Sequence, residues 1–211
     1  MFSSGNFKNK NMNIKELLGR YTFVQISRML INVIRTKFIF RKARIIRFPI
    51  DIRGGKFISV EKNFTAGHYC RLEAYPENKN KVLFFGKNVQ INDSVHITAI
   101  ESVVIGNNVL MASKIYISDC SHGSYSGNTN DSNPDSIPAE RALFSKPVVI
   151  KDNVWLGEFV SVLPGVTIGK GTIVGANSVV SKSLPDYVIA VGVPAKPIKK
   201  YNFESQKWEK I

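Results

Sequence analysis

The chain has 211 residues, 44% of them hydrophobic, and a net charge of +13. That is enough apolar sequence for one cored domain with a small appendage, and it excludes a disordered chain. Two cysteines, Cys70 and Cys120, are too few for a disulfide scaffold and point to a reducing compartment.

The charge is lopsided along the chain. Residues 1–56 hold 13 Lys/Arg against 2 Asp/Glu, whereas residues 57–211 are near balance with 16 against 14. This argues against a nucleic-acid-binding main domain, and no nucleic-acid partner is expected. The polar residues 1–13 lack the apolar core and small-residue cleavage site of a secretion signal. No apolar run approaches the roughly 18 residues of a membrane span. The expected location is the cytoplasm.

Ile14, Leu17, Leu18, Tyr21, Val24, Ile31 and Ile34 recur mostly at intervals of three, four and seven, which predicts one or two amphipathic helices over 14–34. Asn13 with Glu16 three residues on reads as an N-cap and its box partner. A basic run at 41–47 follows, and Pro49 marks the passage to another kind of sequence. Residues 1–48 therefore read as a basic amphipathic segment facing something anionic, phospholipid or a pyrophosphate-linked lipid. A merely solvated basic face is the equal alternative.

From Ile150 the chain breaks into sixes: IKDNVW, LGEFVS, VLPGVT, IGKGTI, VGANSV, VSKSLP. Position one is Ile150, Leu156, Val162, Ile168, Val174 and Val180, all aliphatic. Position five is Val154, Val160, Val166, Thr172, Ser178 and Leu184. A period of six is neither a long strand nor a helix. It fits a short strand plus a tight corner, the first-position aliphatic pointing inward and the corners favouring Gly, Asn or Asp. Stacked coils then share one apolar core. The pattern runs earlier through Phe85, Ile91 and Ile97, then Ile105, Met111 and Ile117, with weaker sixes at Ile52, Ile58 and Phe64. The step from Ile117 to Ile150 is 33, one repeat of six plus 27 inserted residues, polar and turn-rich. A long patternless loop inside a compact repeat is usually functional or disordered, and its departure right after His122 favours function.

The expected architecture is mainly β, a parallel β-helix of hexapeptide repeats over 49–192 with a loop at 123–147. The basic segment 1–48 precedes it. A tail at 193–211 follows, its residues 203–211, with Trp208, read as a short C-terminal capping helix.

The sixes, the loop after "SDCSH", and "NVWLG", "GANSVV" and "AVGVPAKPIKK" together resemble the hexapeptide-repeat acyltransferases over about residues 50–200. "IIRFPIDIR", "NVQINDSVHI", "ASKIYISD" and "KKYNFESQKWEKI" narrow the resemblance to the O-acetyltransferases of lipopolysaccharide O-antigen synthesis. The resemblance implies a left-handed helix of coils, a homotrimer, acetyl-CoA as donor and a sugar hydroxyl as acceptor, free or on a lipid-linked oligosaccharide. With the basic segment it implies a peripheral place at the inner membrane.

Moving acetyl from a thioester to a hydroxyl needs a base for the proton and donors for the developing oxyanion. Histidine suits the base because it titrates near neutrality. Of His68, His96 and His122, the family motif selects His122, and the other two keep a structural reading. Asp119 is a candidate to orient the imidazole or hold the acceptor, against the plain role of a corner aspartate. Cys120 raises an acetyl-cysteine route, set against the commoner inert thiol and the family's direct transfer. The resemblance places Trp155 and Asn92 near the acetyl group and acceptor. It places Gly157, Glu158, Gly175, Ala176, Ser181, Lys182, Lys196 and Lys199 along the coenzyme A path. Histidines 28 and 26 residues apart do not make a zinc site of local ligands, so no metal is expected. Two rivals remain: an N-acetyltransferase of a nucleotide-linked amino sugar, and a β-helix that only scaffolds.

Overall fold

The period of six produces short parallel strands that return to the same face one coil later. In the computed structural model, which describes residues 19–211, three parallel sheets stack around one core. The first face runs from Ile45–Ile46 through Thr65–Ala66, Gln90–Ile91, Leu110–Met111, Trp155–Leu156 and Ile173–Val174 to Val188–Val191. The second holds Asp51–Arg53, Arg71–Ala74, His96–Ala99, Tyr116–Ser118, Ser161–Val162 and Val179–Val180. The third holds Ile58–Val60, Leu83–Phe85, Val103–Ile105, Val148–Ile150 and Thr167–Ile168. The first corner joins the first face to the second, the second corner the second face to the third, and the third corner closes the coil.

Inward residues pair in register up the stack. Leu72, Ile97, Ile117, Val162 and Val180 form one such column on the second face. All six position-one aliphatics from Ile150 to Val180 are fully buried, and so are the position-five residues Val160, Thr172 and Ser178. Burial of each aliphatic contributes about 1.5–3 kcal/mol, which makes this column the main stabilising element. In the first coils the register differs from the expected sixes. Ile58 and Phe64 are buried, but Phe85 pairs with Val60 and Ile91 with Ala66, two residues further on. The cause is the second corner, which is enlarged in all the first four coils: a 3-10 turn at Gly55–Phe57, residues 75–82, residues 100–102, and the long insertion.

The third corner carries one left-handed residue per coil, Asn63, Asn88, Asn108 and Asn153, with φ between 57° and 66°. Each amide side chain donates to the next at 2.9, 2.9 and 3.1 Å, so the asparagines form a ladder. Asparagine tolerates this backbone at low cost. The first corner uses Tyr69, Ser94, Lys114 and Phe159 in the same conformation, residues the sequence does not flag as corner formers.

A helix, α1, spans Phe23–Ile39; of the one or two helices expected over 14–34, Gly19 and Arg20 are helical and a break at Tyr21 and Thr22 separates them from α1. Thr22 and Gln25 form the capping box that starts it. The expected cap at Asn13 and Glu16, with Ile14, Leu17 and Leu18, lies outside the described residues. Thr36 anchors α1 to the coils, its buried hydroxyl accepting from the Ile46 N–H at 2.8 Å.

The expected capping helix at 203–211 is a correction: the C-terminus is a hairpin. Lys196–Asn202 pairs antiparallel with Val188–Val191 and with Lys207–Lys210. Asn202 Oδ1 accepts from the Glu204 and Ser205 N–H groups and sets the turn. Tyr201 lies opposite Trp208, their rings 5.2 Å apart, and Phe203 packs on Tyr187 at 4.9 Å. A nine-residue helix cannot outweigh a paired strand with cross-strand aromatics.

Candidate active site

The insertion leaves the coil at the second corner. Cys120–His122 pairs antiparallel with Leu143–Ser145, so the excursion opens and closes as a two-stranded ribbon with His122 opposite Leu143. The loop between is ordered by its own polar groups. Asp131 accepts from the Ser126 and Gly127 N–H groups, both at 2.7 Å, and these bonds hold its carboxyl below the usual range despite the opposing effect of burial. Arg141 donates to Tyr125 Oη at 2.8 Å and to the Ser136 carbonyl at 2.7 Å. Tyr125 Oη in turn donates to the His122 carbonyl at 2.6 Å. His122 is therefore fixed through its backbone, while its ring is exposed and makes no hydrogen bond among the described residues.

Asp119 does not orient that ring. It is fully buried, and its carboxylate accepts from the backbone N–H groups of Ile100, Glu101 and Ser102 at 2.8–3.2 Å. Those three donors belong to the widened second corner of the preceding coil, where the step from Ile97 to Ile105 leaves them without strand partners. Asp119 is the corner aspartate, and its carbonyl also takes the Lys146 N–H at 2.8 Å, which ties the end of the loop to its beginning.

Cys120 lies 3.4 Å from Ser118 Oγ, and burial pushes its thiol above the ordinary value. A thiol so placed holds little thiolate at neutral pH, which disfavours an acetyl-cysteine intermediate. Cys70 is buried too, donating to the Asn92 carbonyl at 3.0 Å, its thiol raised to about 11 chiefly by burial.

Sequence reading missed Glu73. Its side chain is only 5% exposed on the outer side of the second face. Its two oxygens meet His96 Nε2 at 2.9 Å, Arg71 at 2.7 Å, Thr98 Oγ1 at 3.1 Å and Arg53 at 3.2 Å. Burial alone would raise its pKa, but the bonds from His96, Arg71 and Thr98 prevail and lower it to about 2. Arg71, His96 and Tyr116 are direct register neighbours, so Glu73 locks the coils that lead up to Cys120. These partners are 2 to 25 residues away along the chain, and only the coil register would have revealed them.

The remaining predicted residues fall into four groups. Asn92, Gly157, Glu158, Gly175 and Ala176 line the first corner. A Cβ on Gly157 would lie 2.6 Å from the Ala176 nitrogen, so glycine is required for the coils to stack there. The Glu158 carbonyl accepts from the Asn177 N–H at 2.8 Å in the same ridge. Asn92 Oδ1 accepts from Gln90 Nε2 at 3.4 Å. Trp155 stands half-exposed on the first face between Leu110 and Ile173. Ser181 and Lys182 follow Val179–Val180 at the second corner, the corner that bears His122. Lys196 and Lys199 lie on the hairpin strand opposite Val191 and Ile189. One chain thus puts His122 on one corner and the Gly157–Ala176 ridge on another. Among the described residues no group of three His, Cys, Asp or Glu side chains is placed to hold a metal ion.

A protein of Escherichia coli K12 named "Putative lipopolysaccharide biosynthesis O-acetyl transferase WbbJ" is 48% identical over 197 residues, covering 93% of this chain and 99% of that protein. The chain belongs to the hexapeptide-repeat acyltransferases. Residues 147–182 match the family described as "Bacterial transferase hexapeptide (six repeats)". The galactoside O-acetyltransferase of E. coli K12 is 33% identical over 120 residues, 57% of this chain and 55% of that enzyme. Among solved structures, a point mutant of AntD, an N-acyltransferase from Bacillus cereus, superposes with a TM-score of 0.65 at 23% identity, covering 81% of this chain and 89% of that one. That shared fold makes the three-faced coil a left-handed β-helix. Both the lipopolysaccharide protein and the galactoside enzyme carry O-acetyltransferase names.

Proposed function

We propose that this enzyme acetylates a sugar hydroxyl during assembly of a surface polysaccharide, the O-antigen in the first place, with His122 as general base. The relationship to the E. coli lipopolysaccharide protein over 93% of the chain carries the acceptor class. The placement of an exposed imidazole at the root of an ordered loop supports the role of His122. In the reaction, His122 takes the proton of the acceptor hydroxyl as its oxygen attacks the thioester carbonyl. The C–S bond breaks, the ester forms, and the imidazolium returns the proton to the departing thiolate. A backbone N–H steadies the oxyanion between these steps. No covalent enzyme intermediate is needed, in keeping with the raised thiol of Cys120.

The donor lies along Gly157, Glu158, Gly175, Ala176, Ser181 and Lys182, with Lys196 and Lys199 meeting its phosphates as point charges. Trp155 and Asn92 shape the acetyl and acceptor ends. Because His122 and the Gly157–Ala176 ridge stand on different corners, a working cleft needs two copies of the chain facing each other, which supports the homotrimer. The acceptor sugar is free or carried on a lipid-linked oligosaccharide, and the enzyme works at the cytoplasmic face of the inner membrane through its basic N-terminal segment. Among the described residues no helix is long and apolar enough to cross a membrane. The test is the glycan made by cells with and without a functional His122. An added acetyl mass that mild alkali removes supports the ester; an alkali-resistant acetyl would mean an amide and refute O-acetylation.

A further inference from the structure

The helix α1 is apolar on the side that faces away from the coils. At 100° per residue, Phe23, Ile34, Phe38, Ile31 and Val24 fall within about 100° of arc. Phe38 is 87% and Phe23 80% exposed. Arg28 and Arg35 flank this stripe on one side and Lys37 on the other, and no acidic residue occurs in α1. Arg35 is steadied over the Phe48 ring and Lys37 by the Ala43 carbonyl, so these two charges are held at the rim without a carboxylate to neutralise them. The face that meets the body is a different one, with Ile26, Met29 and Val33. It closes over a groove of 440 Å³ whose far wall is Arg44, Ile45 and Arg47. Leu30 borders both the groove and the exposed stripe. The backbones of Arg44 and Arg47 are fixed by bonds to the Phe64 and Ala66 carbonyls at 2.8 and 3.0 Å. Neither guanidinium has an ion-pair partner among the described residues.

An apolar stripe rimmed by arginine and lysine is the pattern of a helix lying in a lipid interface, its cations at the level of the headgroups. A subunit contact would not need cations on both rims with no acid to meet them. The groove adds a second element of the same character, an apolar trough ending in two uncompensated guanidiniums, which suit phosphate oxygens. From this arrangement we infer that α1 lies in the membrane surface on its Phe23–Phe38 stripe and that the groove beneath it seats one phospholipid, its phosphate at Arg44 and Arg47 and its chain along Ile26, Met29 and Val33. This rests on the membrane-surface reading above and extends it from a diffuse basic charge to a defined lipid site.

The test uses the full-length enzyme with vesicles of phosphatidylcholine, with and without phosphatidylglycerol, and separation by flotation. The wild-type chain binds the anionic vesicles tightly and the neutral ones more weakly. An Arg44→Gln/Arg47→Gln variant binds them about 30-fold more weakly, at roughly fivefold per basic residue near an anionic surface. A Phe23→Ser/Ile34→Ser/Phe38→Ser variant, altered only at exposed positions, loses binding to both vesicle types. Acetyl transfer to a soluble sugar acceptor stays unchanged in both variants, which separates this inference from the catalytic reading. Millimolar inorganic phosphate leaves vesicle binding intact. Release by inorganic phosphate would overturn the lipid site in favour of a free-anion site. Unchanged flotation of the triple variant, or a change in its oligomeric mass without a change in flotation, would overturn the interfacial helix in favour of a contact between copies.

Discussion

Replacing Asp119 with asparagine separates a structural aspartate from a catalytic one. The Asp119 carboxylate takes the Glu101 and Ser102 N–H groups on Oδ2, each at 2.8 Å, and Ile100 on Oδ1 at 3.0 Å. Asparagine has one acceptor oxygen. Turned to keep Glu101 and Ser102, it points its amide N–H₂ at the Ile100 N–H, donor against donor, in a fully buried site. The shorter Ile100 bond is replaced by an opposing donor, leaving that N–H only its 3.2 Å contact with the remaining oxygen, at about 1–3 kcal/mol, and the surviving bonds lose their charge assistance, for a total of about 2–4 kcal/mol. For a chain of this size each kcal/mol lowers Tm by about 2–4 °C, so a fall of roughly 5–15 °C is expected. Thermal unfolding followed by circular dichroism measures it. At temperatures where the variant is folded, kcat/KM and its pH profile stay within a few-fold of wild type. An Asp119→Asn enzyme with unaltered Tm and a hundredfold loss of kcat would refute the assignment and return Asp119 to the chemistry.

Cys120→Ser should leave turnover unchanged, and mass spectrometry of the wild-type enzyme mixed with acetyl-CoA should show no acetylated chain; a trapped acetyl group on Cys120 would contradict direct transfer. Glu73→Gln should destabilise the protein at pH 7 by about 3 kcal/mol, the equivalent of lowering a carboxyl from its ordinary value to about 2. Since the folded pKa is depressed, that stability is complete above about pH 4.5 and disappears as pH falls toward 2. The wild-type advantage in denaturant unfolding should therefore be full at pH 7 and gone at about pH 2, whereas a difference independent of pH would mean that packing, not charge, is what Glu73 supplies.

How much of this could be read from sequence depends on distance along the chain. The sixes from Ile150 to Val180 are legible because strand and corner repeat without interruption, and every position-one residue is buried as the period requires. The first coils blur because the second corner lengthens: Ile52 to Val60 is eight residues, so a strict six lands on Ile58, two residues short. Asp119 sits three residues from His122, and proximity suggests a shared task. Its true partners are 17 to 19 residues earlier, one coil below. Glu73 and His96 are hidden for the same reason. In α1, the stripe read from Val24, Ile31 and Ile34 is real, but it faces outward, because hydrophobic spacing gives a face without saying what covers it. The C-terminal hairpin was missed because nine residues with one tryptophan carry no decisive period, and the pairing comes from the neighbouring strand.

The central claim is that His122 takes the acceptor proton. The direct measurement is steady-state acetyl transfer by a His122→Ala enzyme, with coenzyme A binding measured on the same sample. The ring has no hydrogen-bond partner among the described residues and is exposed, so its loss should leave the fold and coenzyme A affinity intact. Removing a general base typically costs about 10²–10⁴ in rate, and kcat should fall by that amount. A variant that binds coenzyme A normally and turns over within a few-fold of wild type would show that the proton goes elsewhere.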